Sequence, residues 1–90
     1  SRRDISILLP LDIEINTIIH SINSLNINEL SDLLVFDIYE GKSIQSKKKS
    51  ISLGLIFQSK SRTLTDEQID EFMTNINKHI QSTFEITIRK

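Results

Sequence analysis

Two helical stripes constrain this chain more than any other feature. Ile15, Ile18, Ile19, Ile22 and Leu25 recur at three- and four-residue intervals, and so do Ile69, Phe72, Met73, Ile76 and Ile80. Each set marks an amphipathic helix with one apolar stripe and a polar remainder. The first helix is expected between roughly residues 14 and 26. A helix of this kind has a single face to bury, so both need a broad apolar partner elsewhere in the chain.

Period-two segments supply that partner. Ile5, Ile7 and Leu9 alternate with Asp4, Ser6 and Leu8 in a strand closed by Pro10. Residues 30 to 40 read as a second strand, with Leu34, Phe36 and Ile38 on one face and Val35, Asp37 and Tyr39 on the other. Ser50 to Gln58 make a third, whose inner face carries Ile51, Leu53, Leu55 and Phe57. Ile86 and Ile88 alternate with Glu85, Thr87 and Arg89 in a last strand. Asn26 and Asn28 favour a turn after the first helix. Thr65-Asp66-Glu67-Gln68 has the form of a capping box, and its acidic pair suits the positive end of the second helix. The short connection from Gly41 between strands two and three argues for an antiparallel hairpin.

The order is therefore βαββαβ. It predicts an α+β, ferredoxin-like fold: a four-stranded antiparallel sheet with both helices on one face and the other face open. Ninety residues make one domain spanning 1–90. A chain of that size buries roughly 60–65% of its unfolded surface without staples. The expected core is Ile5, Ile7, Leu9, Leu34, Phe36, Ile38, Ile51, Leu53, Leu55, Phe57, Ile86, Ile88 and the helix stripes. The opposite face would carry Ser6, Leu8, Asp37, Tyr39, Ser50, Ser52, Gly54, Ile56, Gln58, Thr87 and Arg89. Small and polar groups dominate it, whereas a helix-covered face would be apolar.

Several kinds of chemistry find no support. The chain has no cysteine, hence no disulfide and no thiolate metal ligand. His20 and His79 lie on different helices without paired-ligand spacing. The only glycines are Gly41 and Gly54, so neither a dinucleotide fingerprint nor a phosphate loop can be written. No serine sits in a nucleophile-elbow motif, and Asp66, Glu67, Asp70 and Glu71 read as a capped, solvated helix start. No apolar run approaches the ~20 residues of a membrane span, and the first residues lack a signal peptide's apolar stretch. The chain also lacks an initiator Met. We expect a non-catalytic piece of a larger protein, and the lack of cysteine suits a reducing compartment.

Charge is segregated. Residues 41 to 65 hold six basic groups (Lys42, Lys47, Lys48, Lys49, Lys60 and Arg62) and no acidic one. Residues 1 to 40 hold two basic and seven acidic groups, and residues 66 to 90 hold three and five. Such a run either meets phosphates or is a solvated loop. Single-stranded nucleic acid needs an aromatic platform, polar groups for a base edge and basic groups for the backbone. Tyr39 offers the ring. Asp37 shares its face, and its carboxylate can accept hydrogen bonds from N1 and N2 of guanine.

Three blocks carry a resemblance. Phe36-Asp37-Ile38-Tyr39-Glu40-Gly41 precedes Lys48-Lys49-Ser50, and Arg62-Thr63-Leu64-Thr65-Asp66-Glu67 follows. With Arg3-Asp4-Ile5 at the start and Ile88-Arg89 at the end, the whole chain resembles the ferredoxin-fold anticodon-binding domain. That domain closes the β subunit of bacterial phenylalanyl-tRNA synthetase and the single-chain organellar enzyme. The resemblance implies a module that holds the anticodon stem-loop of tRNA(Phe), the first anticodon base lying on the open sheet face. It points to Asp37, Tyr39 and Ser50, with Ser6 near the same base and Lys48, Lys49, Arg62 and Arg89 toward phosphates. It further implies no cofactor in this domain, ATP and Mg in the parent enzyme, and an α2β2 parent. Two departures stand out: Ile44-Gln45-Ser46-Lys47 where the family has a Pro and a Gly, and Thr83-Phe84-Glu85 where it has small residues. The rival reading is a ferredoxin-like regulatory or dimerisation module without RNA binding.

Overall fold

A computed structural model of the chain describes residues 1–40 and 47–89. Its elements follow in the order β1 (Arg2–Pro10), α1 (Ile15–Asn23), β2 (Leu30–Tyr39), β3 (Lys48–Phe57), α2 (Asp66–Thr83) and β4 (Thr87–Arg89). The sheet order is β2-β3-β1-β4 with every neighbouring pair antiparallel. This is the ferredoxin-like α+β arrangement that the two rhythms call for. The connection across residues 41–46, including Lys42 and Ile44-Gln45-Ser46, lies outside the described residues, as does Lys90.

Both helical stripes close on one sheet face. Ile18 and Ile22 of α1 and Ile69, Met73, Ile76 and Ile80 of α2 are buried with Ile5, Ile7, Leu9, Ile51, Leu53, Leu55 and Phe57. Phe57 and Phe72 stack with ring centroids 5.7 Å apart. The capping box forms: Thr65 Oγ1 accepts from the Gln68 amide at 3.2 Å, and Gln68 Oε1 accepts from the Thr65 amide at 2.9 Å. α1 is shorter than its stripe, because Ser24 closes it and Asn26 turns the chain with a φ of 53°, a conformation asparagine tolerates. Leu25 still packs against the core.

Strand β2 departs from simple alternation. Val35 pairs with Leu53, but the next paired residue is Asp37, opposite Ser52. Phe36 is thus the extra residue of a β-bulge, and a second irregularity falls between Leu30 and Asp32. One inserted residue reverses the phase of a strand. Leu33 and Val35 therefore pack against the core, correcting the expectation that Leu34 and Phe36 point inward and Val35 outward. Leu34 is 37% exposed and Phe36 51%. Ile38 sits on the core side opposite Ile51, yet stays 54% exposed because β2 is an edge of the sheet.

Candidate nucleic-acid interface

The open face is built as rows, because residues paired across neighbouring strands share a side. One row runs Asp37–Ser52–Ser6–Arg89, drawing one residue from each strand. The next runs Tyr39–Ser50–Leu8–Thr87. Three strand spacings make each row roughly 14 Å long. The bulge matters here: in a regular ladder, a strand holding Val35 inward at Leu53 would meet Ser52 with Phe36 instead of Asp37.

Local chemistry suits a flat polar ligand. Ser6 Oγ and Ser52 Oγ lie 3.4 Å apart in the middle of the row. Asp37 is exposed, and none of the ion pairs among the described residues uses it. Its carboxylate is an acceptor from both oxygens. Tyr39, 47% exposed, ends β2 beside Ser50. Hydroxyls, a carboxylate and a ring thus share one surface, with Arg89 at its far edge. No group of three His, Cys, Asp or Glu able to hold a metal occurs among the described residues. His79 Nε2 and Ser21 Oγ form a 2.8 Å hydrogen bond between the two helices.

Of the residues singled out from sequence, Asp37, Tyr39, Ser50, Ser6 and Arg89 come together. Lys48 joins them: it pairs with Pro10, two residues from Ser50, and so takes the same side of β3. Lys49 takes the other side, where its Nζ donates to the Leu11 carbonyl at 3.2 Å. Arg62 lies beyond the opposite end of β3, its Nη2 3.4 Å from Glu29 Oε2. From Ser50 to Phe57 alone the strand rises roughly 23 Å. Ser52, which the family blocks leave unmarked, lies on the open face by alternation, and its register between Asp37 and Ser6 makes it one of the row's central groups.

A family model for the "ferredoxin-fold anticodon binding domain" matches residues 1–89. The chain belongs to this family. Among similar curated proteins is the phenylalanine-tRNA ligase beta subunit of Nitrosospira multiformis, 33% identical over 88 residues, covering 98% of this chain and 11% of that protein. The protein of the same description from Carboxydothermus hydrogenoformans is 38% identical over 81 residues, 90% of this chain and 10% of its own length. That of Pseudomonas fluorescens is 34% identical over 89 residues, 99% and 11%. The chain therefore spans about a tenth of the length of these relatives, which are subunits of a ligase. Among its described residues, no helix of this anticodon-binding-family domain is long and apolar enough to cross a membrane.

Proposed function

We propose that this domain holds the anticodon end of the phenylalanine tRNA for a phenylalanyl-tRNA synthetase and makes none of the chemistry itself. ATP-dependent charging with Mg, the partner α subunits and the cytoplasmic setting belong to the parent enzyme in this reading. The observation that carries it is the row of Asp37 with Ser52 and Ser6, flanked by Tyr39, on a face the helices leave uncovered. A guanine stacked against Tyr39 presents N1–H and N2–H donors to the Asp37 carboxylate. Adenine offers an acceptor at N1, which leaves the carboxylate facing a lone pair. Bidentate recognition of a base edge gives about 1–3 kcal/mol of discrimination. Ser50 and Ser52 add adaptable hydroxyls, while Lys48 and Arg89 lie where a backbone leaving either end of the face would pass.

The test is an NMR titration of the labelled domain with the phenylalanine anticodon stem-loop and with one carrying adenine at the first anticodon position. Its buried cluster draws on both helices and the sheet, so the chain carries its own core for such work. Shifts are expected along the open face, with the altered loop bound roughly 5- to 150-fold more weakly. Asp37→Ala should bind both loops about equally. Equal affinity of the unsubstituted domain for both loops would remove the edge-reading role. Silence of the sheet face together with a clean dimer would favour the regulatory or dimerisation reading.

A further inference from the structure

Phe36 is placed where only part of its ring is buried. The bulge turns this ring out of the ladder and leaves it 51% exposed, forgoing much of the stabilisation that a fully buried ring contributes. It is nevertheless held. The Arg2 guanidinium lies over the ring, with Cζ 4.9 Å from the centroid. Arg2 Nε also donates to Asp4 Oδ1 at 2.7 Å, so the planar group is fixed at two points. It reaches Phe36 by crossing β3 at Gly54, where a Cβ would sit 2.9 Å from both Nε and Nη2. Three strands thus cooperate: β1 supplies Arg2 and Asp4, β3 supplies the space, and β2 supplies the ring.

This stack adjoins the base-edge row. Phe36 precedes Asp37, and Gly54 lies on β3 beside Ser52, one row along the open face. Rows on one face are about 6.7 Å apart, a distance that neighbouring nucleotides of an unstacked loop span. Unpaired bases stack on aromatic rings and on arginine guanidinium planes alike. The Arg2 side chain remains 46% exposed above the ring. We infer that Arg2 stacked on Phe36 forms a second base platform, which takes an unpaired base adjacent to the first anticodon base. This rests on the RNA-binding reading above. The platform accepts any base, because every base has a face to stack; beside it Leu34 and Ile56 are apolar, the Asp4 carboxylate is engaged by Arg2, and Asp32 Oδ1 accepts from the Leu33 amide.

A double-mutant cycle between protein and RNA tests this. The two nucleotides flanking the first anticodon base are made abasic in turn, and binding is measured to the unsubstituted domain, Phe36→Ala, Phe36→Leu and Arg2→Gln. One abasic loop is expected to bind the unsubstituted domain roughly 5- to 150-fold more weakly, the range for one stacked base. Phe36→Ala should lose a similar factor on the intact loop and little more on that abasic loop. Exchanging the flanking base for another should change affinity little. Arg2→Gln should lose part of the affinity, and Phe36→Leu, which keeps an apolar side chain without a ring, should behave like Phe36→Ala. Thermal midpoints of the variants separate a folding defect from a binding one. Multiplying losses, or full affinity in Phe36→Ala, would overturn the platform and leave Phe36 to a protein partner. If first-base selectivity persists in that case, the anticodon reading stands and only the platform falls. If no loop binds the unsubstituted domain, both fall.

Discussion

At the scale of single residues, the open face is set by what is missing as much as by what is present. Gly54 is buried although it lies on the uncovered side, because the Arg2 side chain covers it. A methyl group there would meet only the far end of a flexible side chain, which can swing away. Glycine inside a strand costs roughly 0.5–1 kcal/mol relative to alanine. Gly54→Ala is therefore expected to leave the thermal midpoint unchanged or slightly raised while it displaces Arg2 from Phe36. The measurement is the NMR shift of the Phe36 ring protons, which lose the overlying guanidinium. A large drop in midpoint would mean that Arg2 cannot move. Asp37 and Tyr39 were legible as outward-facing from alternation with Ile38, since all three follow the bulge. Arg2 was not, because a guanidinium laid across two strands leaves no periodic trace.

At the scale of elements, sequence rhythm succeeded wherever one residue advanced the ladder by one step. β1 and β3 bury the residues that their apolar periods mark, as α1 does at Ile18 and Ile22 and α2 at Ile69, Met73, Ile76 and Ile80, while Ile15, Leu25 and Phe72 pack partly buried against that core. β2 failed between Leu33 and Phe36, where four consecutive apolar residues fit either phase and only the inserted residue decides between them. The continuous run was the available hint. The family-like blocks also divide by role. Arg3 reaches the start of α2, with Nη2 3.3 Å from Asp66 Oδ1 and Nε 3.9 Å from Asp70 Oδ1. Arg3-Asp4-Ile5 and Thr65-Asp66-Glu67 therefore join β1 to the second helix and take no part in the row. These pairs are exposed on the acidic side and contribute at most about 1 kcal/mol. The cap matters comparably. Thr65→Ala leaves the Gln68 amide without its acceptor and should cost about 1 kcal/mol, a fall of roughly 4–8 °C in the midpoint for a domain of this size. Thr65→Ser should recover most of it.

At the scale of the whole molecule, the fold takes apart a charge run that is continuous in sequence. Its described part, residues 47 to 65, passes along β3, so Lys48, Lys49 and Arg62 emerge at opposite ends and on opposite faces of the sheet. Lys48 accompanies the row, Lys49 is turned to the Leu11 carbonyl, and Arg62 is neutralised beside Glu29. Arg89, from a net acidic stretch, arrives at the row through β4. Separation along β3 exceeds the Debye length, about 8 Å at physiological salt, so a distant exposed charge adds little to a ligand on the row. Backbone contacts declare themselves in the salt dependence of binding, by roughly 0.7 in the log–log slope per neutralised phosphate of a single strand. Lys48→Gln and Arg89→Gln are each expected to flatten the slope for the anticodon stem-loop by about that amount, with first-base selectivity retained. Lys49→Gln and Arg62→Gln should leave it unchanged. A flattened slope in Arg62→Gln would mean that the RNA reaches the far end of β3, and that the interface runs the length of the sheet.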